Sequence, residues 1–183
     1  GQFAGGYALA GLALTFPLMN LGTAFSSLIA VGASANIGIY LGQKNYPMAQ
    51  KVLGNVVTLN FIIGIMYMIG VLLFLDPILY FFGASENTIS HAREYMQVIL
   101  GGNIISHTYF ALNAVLRATG LPRKAMNASI LTVLVNAAID PLFIYWWGIR
   151  GAAIATISAQ SITLGWVIYV LSTSNHVVHF QKG

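Results

Sequence analysis

The 183-residue sequence contains no cysteine and few charged residues, and these two absences exclude several classes of protein. Without cysteine there can be no disulfide framework and no thiolate metal site. Only 7% of the residues are charged, whereas soluble domains carry roughly 25%. The formal net charge is +4, but no basic run exceeds the pair Arg123 and Lys124, so we expect no nucleic-acid partner.

What the sequence has in abundance is apolar residues, which make up 57% of the chain and give a mean hydropathy of +0.77. Long uncharged runs cover residues 1–43, 52–75, 95–116, 125–139 and 151–181. Most of them reach the roughly 20 residues that a membrane-spanning helix needs. The run FIIGIMYMIGVLLFL has no period-2 alternation, so barrel strands do not fit. We predict an all-α, polytopic transmembrane helix bundle surrounded by membrane lipids.

Turn residues divide the chain into predicted spans at about 7–42, 47–73, 87–118, 122–146 and 151–173. The acidic segment 75–95 is long enough for a short interfacial helix and is expected outside the cell. With these spans, 6 Lys and Arg residues lie on one side of the membrane and 2 on the other. The side with more cations is expected to be cytoplasmic, so the two short basic links and the C-terminus should face the cytoplasm.

The two ends of the sequence carry a further expectation. The chain begins without Met and without a recognisable leader, and its polar tail resembles the start of a linker. We therefore expect the native protein to extend at both ends. In the tail, His176 and His179 lack an acidic or cysteine partner nearby, so no metal site is expected there.

Glycine and proline positions predict where helices bend or pack closely. Pro17 is expected to bend the first span, and the pair Gly101 and Gly102 to bend the third. In the first span small residues recur every four positions, at Gly22, Ser26, Ala30, Ser34, Gly38 and Gly42. This stripe predicts close helix packing or, alternatively, a face that lines a pathway.

The most informative polar residue is Asp140, within the apolar stretch LTVLVNAAIDPLFIYWW. It lies 16 residues after Lys124, about 24 Å along a helix, and is therefore inside the bilayer. Asn136 is one turn earlier on the same face, and Pro141 leaves the carbonyl of Ala137 without its usual donor. These oxygens could hold a sodium ion, a proton or a hydrated cation. The alternative is that Asp140 is only hydrated near the headgroups or bonded to a neighbouring helix.

Other polar residues give weaker indications. His107, with Ser106, Thr108, Asn103 and Asn113, lies in the middle of a span, where such groups usually bond across helices. Tyr95 is either an interface ring or a pathway residue. With one embedded carboxylate and no GxSxG or HExxH motif, we predict that the protein is not an enzyme and has no cofactor or permanently bound metal.

Five segments in order resemble the multidrug and toxic compound extrusion (MATE) transporters: FPLMNLGTAFSSLIAVGASANIGIYLGQKN, FFGASENTISHAREY, NAVLRATGLPRKAMN, VNAAIDPLFI and GIRGAAIATISAQ. The resemblance implies helices two to six of the N-terminal lobe in a twelve-helix protein of the bacterial cytoplasmic membrane. The first helix, with the family's aspartate, would precede Gly1, and the C-terminal lobe is also absent from this chain. The fragment alone is not expected to transport.

The resemblance also implies a function and a site. It implies a Na⁺- or H⁺-coupled antiporter that exports cationic or amphipathic drugs by alternating access. It places the cation site at Asp140 and Asn136, with Tyr95 and the sixth-helix position Ser158, for which Thr156 is the alternative. Competing hypotheses are a lipid-linked oligosaccharide flippase of the same superfamily and a non-transport bundle, either structural or enzymatic.

Overall fold

The fold consists of helices joined by short turns, with no strand, over residues 5–173, which are the part of the chain that the computed structural model describes. The helices are α1 (Gly5–Gly42), α2 (Tyr46–Leu73), α3 (Leu75–Phe81), α4 (Ile89–Gly101), α5 (Asn103–Ala118), α6 (Pro122–Trp147) and α7 (Ile149–Thr173). The predicted all-α class is confirmed, and the predicted spans differ from these bounds by at most two residues. His176 and His179 lie outside the described residues.

Four of these helices, α1, α2, α6 and α7, are long and apolar enough to cross a membrane. The helices α4 and α5 together form a fifth candidate span, bent by 55° at their junction. The short helix α3 lies in the acidic connection. At 1.5 Å per residue α1 is about 57 Å long, well over the roughly 30 Å of a hydrocarbon core, so it extends beyond the apolar layer.

The 55° bend occurs where the sequence predicts it, at Gly101 and Gly102. Gly102 closes α4 with a backbone conformation that other residues can also adopt (φ −91°, ψ 0°), so conformational freedom does not explain the glycine. The reason is space: a Cβ atom at Gly102 would overlap the side chain of Ile157 on α7. The glycine therefore lets α7 cross the α4–α5 junction in close contact.

The helix α5 is the centre of the bundle, since most of its side chains are buried against α1, α2 and α7. Its second half contributes Leu112, Val115 and Leu116 to the main apolar core. By contrast α6 packs mainly along α7, and the only buried residues among its described positions are Ala125 and Ala128. The second half of α6, which carries Asn136 and Asp140, therefore has an open side.

The stripe of small residues on α1 is buried in its first half within the described part of the chain. Gly22, Ser26 and Ala30 are buried, and the buried face then continues through Ala33 and Ile37. Gly38 is exposed, and a Cβ added there would meet no described atom within 4 Å, so none of the described residues packs closely against this position. The reason is helical geometry. Each step of four residues turns about 400° around the helix axis, which is 40° more than a full turn, so the four steps from Gly22 to Gly38 rotate the position by about 160°.

Neither proline inside a long helix interrupts it. The helix α1 continues through Pro17, and α6 continues through Pro141 to Trp147. Pro17 lies beside a wide apolar hollow between α1 and α3 that is also lined by Phe74 and Phe81. Both prolines lack an N–H, so each removes one backbone hydrogen bond without ending its helix.

Candidate cation site

Polar side chains form a row along the face of α6 that meets α7. Thr132, Asn136 and Asp140 follow one another at intervals of four residues, so they share one side of the helix. Two of them contact α7 directly. An apolar helix that keeps its polar groups on one side can direct all of them toward protein or water instead of lipid.

The first residue of the row, Thr132, lies within hydrogen-bond distance of side chains on two neighbouring helices. The Thr132 hydroxyl lies 3.0 Å from the Tyr109 hydroxyl on α5 and 2.9 Å from the Thr163 hydroxyl on α7. Thr163 is completely buried, and its own hydroxyl also donates to the carbonyl of Ala159. This network ties three helices together at one level. This network was not predicted from the sequence, although the position of Thr132 one turn before Asn136 was the available signal.

The second member, Asn136, makes one long contact with α7. Its Nδ2 lies 3.5 Å from the Thr156 hydroxyl, which also donates to the carbonyl of Ala152 at 3.0 Å. Ser158 is two residues further along and so projects about 200° around the helix from Thr156. Of the two α7 positions considered from the sequence, the structure therefore brings Thr156, and not Ser158, to Asn136.

The third member, Asp140, is partly buried next to Tyr95. The carboxylate is near enough to act electrostatically on the phenol of Tyr95, which is itself 7% exposed and packs with Ala8, Ile149 and Ala153. Within residues 5–173 the carboxylate of Asp140 has neither an ion pair nor a hydrogen bond. The structure thus places Asp140 within electrostatic reach of Tyr95 on α4 and one helical turn from Asn136 on α6.

The cations nearest to this region in sequence are already paired. Arg93 makes two hydrogen bonds to the carboxylate of Asp76, at 2.7 and 2.8 Å. Arg150 lies 3.4 Å from Glu94. Both pairs are substantially exposed, so they belong to the polar end of the bundle. Neither arginine neutralises Asp140, which leaves that carboxylate available to a mobile cation.

The site contains oxygen ligands only. No group of three or more His, Cys, Asp or Glu residues comes together within the described part of the chain, so the region does not resemble a transition-metal centre. The region instead offers oxygen atoms from one carboxylate, one carboxamide and nearby hydroxyl groups. Oxygen ligands of this kind suit a hard cation or a proton. Among the described residues, the arrangement defines a membrane-embedded helical lobe in which Asp140 is a carboxylate within a candidate span and has no cationic partner.

Comparison with known proteins assigns this lobe to a family. A family profile described as MatE matches residues 1–142, and the chain belongs to that family. Among curated proteins it is 30% identical to the "Probable multidrug resistance protein YoeA" of Bacillus subtilis, over 100% of this chain and 41% of that protein. It is 30% identical to the "FAD transporter" of Shewanella oneidensis (90% and 38%) and 26% identical to the "Multidrug export protein MepA" of Staphylococcus aureus (93% and 39%).

Solved structures give the same result. The fold matches a MATE protein crystallised in the bent conformation with a TM-score of 0.91 and 29% identity, over 97% of this chain and 40% of that one. Inward-facing and outward-facing structures of a multidrug resistance MATE family transporter each match with a TM-score of 0.90. The predicted family is confirmed, and the chain, which is an integral membrane protein, spans about two fifths of the length of these relatives.

Proposed function

We propose that the full-length protein is a cation-coupled antiporter of the bacterial cytoplasmic membrane that exports cationic or amphipathic compounds by alternating access. The observation that carries the proposal is the Asp140 carboxylate, which lies beside Tyr95 and one turn from Asn136 without a cationic partner in the described residues. In this account the cation site consists of Asp140, Asn136, Tyr95 and a hydroxyl of α7. The remainder of the full-length protein would supply the opposite wall of the cleft.

The coupling follows from the energy of the unpaired carboxylate. A charged Asp at the centre of a span costs about 2.5–3.5 kcal/mol even on the lenient insertion scale. A Na⁺ ion or a proton bound to Asp140 removes that charge, whereas its release leaves a carboxylate that favours water or an organic cation. Because coupling ion and substrate stabilise different states of the lobe, binding of one favours release of the other.

The way in which the lobe moves is suggested by the structural comparisons. The same chain matches inward-facing and outward-facing relatives equally well, with a TM-score of 0.90 for each. This equality supports a lobe that keeps most of its internal packing while it tilts against another lobe. The close contacts at Gly102 and at Gly151, where added Cβ atoms would overlap α7 and α6 respectively, support the same rigidity.

The alternative to a cationic substrate is an anionic one, because one relative at 30% identity is named "FAD transporter" and FAD carries a pyrophosphate. An anionic substrate of that kind, or a lipid-linked oligosaccharide, calls for embedded Lys or Arg. The described membrane-embedded segments offer Asp140 in their interior, while Arg93 and Arg150 are paired at one end. This charge distribution favours a cationic or neutral amphipathic substrate.

The test is efflux of ethidium from right-side-out membrane vesicles that contain the full-length protein. Asp140→Asn keeps the side-chain volume but removes the charge, so we expect cation-driven efflux to be lost while membrane insertion is retained. Asp76→Asn is the matched control, since it removes a carboxylate that is already paired with Arg93, and efflux should persist. Normal efflux by Asp140→Asn would remove that residue from the mechanism.

The coupling ion is identified in a separate experiment. Proteoliposomes are given either a Na⁺ gradient or a pH gradient, and dye movement is followed for each one alone. Efflux under only one gradient identifies the ion. Efflux that needs neither gradient would contradict antiport and would leave passive or primary transport as the alternative.

A further inference from the structure

The short helix α3 lies between two hollows of different character. The apolar hollow between α1 and α3 has a volume of about 540 Å³, and all the residues that line it are Pro, Leu, Ile or Phe. A second, polar pocket of about 370 Å³ lies between the end of α2, the start of α3 and α4, and its polar lining comes from Asp76, Arg93 and Gln97. Pro77 borders both hollows. A ligand that occupies both must therefore have one polar and one apolar part.

Both hollows lie where the headgroups of a bilayer are expected. The candidate span α2 ends at Leu73, and α3 begins two residues later. Phe74 and Phe81 are each more than half exposed beside the apolar hollow. Exposed aromatic rings at the end of a span are typical of the membrane–water interface. At that level the amphiphiles that surround α3 are phospholipids, which combine a polar headgroup with apolar acyl chains.

The charges of the polar pocket fit a zwitterionic headgroup. Arg93 donates from Nε and Nη2 to the two carboxylate oxygens of Asp76, which leaves the N–H bonds of its Nη1 without a partner among the described residues. Each carboxylate oxygen can accept a second hydrogen bond, so Asp76 can also accept from an ammonium group. Both side chains are partly exposed, so a headgroup can reach them. Because the ion pair is neutral overall, it offers no net attraction to a headgroup of one sign.

We propose that α3 holds a phosphatidylethanolamine molecule, with its phosphate on Arg93, its ammonium group on Asp76 and one acyl chain in the apolar hollow. The ammonium group donates N–H hydrogen bonds to a carboxylate, whereas the trimethylammonium group of phosphatidylcholine has none to donate. Phosphatidylglycerol has no ammonium group and brings an uncompensated negative charge next to Asp76. No residue of the cation site lines either hollow, so Asp76 binds lipid here and has no part in the proposed cation exchange.

The test is hydrogen–deuterium exchange of the full-length protein in nanodiscs, read by mass spectrometry over residues 74–82. The nanodiscs consist of phosphatidylcholine with a fixed share of one tested lipid: phosphatidylethanolamine, its N-methyl or N,N-dimethyl derivative, or phosphatidylglycerol. The methyl series removes N–H donors one at a time at constant charge. We expect exchange to be slowest with phosphatidylethanolamine, by about 1.5- to 5-fold relative to phosphatidylcholine alone, which is the range of exposed charged contacts. Equal exchange along the series, or equally slow exchange with phosphatidylglycerol, would overturn the proposal.

A pair of arginine variants tests the headgroup contact. Arg93→Gln removes the phosphate donor, so the slowing by phosphatidylethanolamine should disappear. Arg150→Gln is the matched control, because it breaks the exposed ion pair with Glu94, which lines neither hollow, and the slowing should remain. Slowing that persists in Arg93→Gln would remove the Asp76–Arg93 pair from the lipid site.

A pair of leucine variants on α1 tests the position of the acyl chain. Leu21 lines the apolar hollow and is 49% exposed, so Leu21→Trp should fill the hollow and abolish the slowing. Leu9→Trp is the matched control, because Leu9 is 48% exposed on the same helix and lines neither hollow. Equal slowing in both variants would overturn the placement of the acyl chain. The wild-type comparison needs no variant and no transport, so it stands or falls separately from the antiport proposal.

Discussion

The α4–α5 junction contains two glycines, Gly101 and Gly102, and replacing each by alanine tests why a glycine is needed there. The two possible reasons are close contact with α7 and freedom of the backbone. At Gly102 the added Cβ would overlap three atoms of Ile157. A β-branched side chain in a helix has one strongly preferred χ1 rotamer, so Ile157 cannot turn away and the helices must separate. Overpacking of this kind costs about 1–3 kcal/mol, which we expect as the loss in the free energy of unfolding of Gly102→Ala.

Gly101→Ala is the control within the same junction. Gly101 is exposed, and a Cβ there meets no described atom within 4 Å, so the alanine should be neutral or should stabilise the helix by about 0.5–1 kcal/mol. The free energy of unfolding is measured for the full-length protein by SDS titration followed by circular dichroism. In an Ile157→Ala background the cost of Gly102→Ala should shrink, because the overlapping atoms are gone. Equal effects of the two alanines would refute the packing explanation.

Three further predictions concern helix contacts and the α7 ligand. Tyr67→Phe removes the hydroxyl that donates to the carbonyl of Leu18, so the same titration should show a loss of about 0.5–1.5 kcal/mol. Gly151→Ala places a Cβ against a backbone carbonyl of α6, which no rotamer change can relieve, so the yield of folded protein should fall below that of Gly102→Ala. Thr156→Val should weaken cation-driven efflux more than Ser158→Ala does; the reverse order would assign the α7 ligand to Ser158.

Features that depend on a single helix could be predicted from the sequence. The spans follow from the lengths of the apolar runs, and the shared face of Asn136 and Asp140 follows from their spacing within α6. The bend at Gly101 and Gly102 was predicted as well, although its 55° magnitude was not. That magnitude depends on how α7 crosses the junction at Ile157, which no local pattern encodes.

Features that depend on how one helix is rotated and shifted relative to another could not be predicted from the sequence. Whether Thr156 or Ser158 meets Asn136 is decided by the rotation of α7 relative to α6, and close approach at Gly151 helps to set it. Gly38 leaves the buried face of α1 for a simpler reason, since a repeat of four residues drifts around a helix of 3.6 residues per turn. The buried Nδ1 of His107, which has no hydrogen-bond partner among the described residues, was also unpredictable, because a polar residue in a span usually finds a partner on a neighbouring helix.

The most direct test of the proposed cation site is to measure the cation released when ethidium binds to the purified full-length protein. A pH indicator detects released protons, and displacement of radioactive Na⁺ detects released sodium. We expect wild-type protein to release one of these ions on dye binding and Asp140→Asn to release neither. Undiminished release from Asp140→Asn would contradict the assignment of the exchanging cation to Asp140.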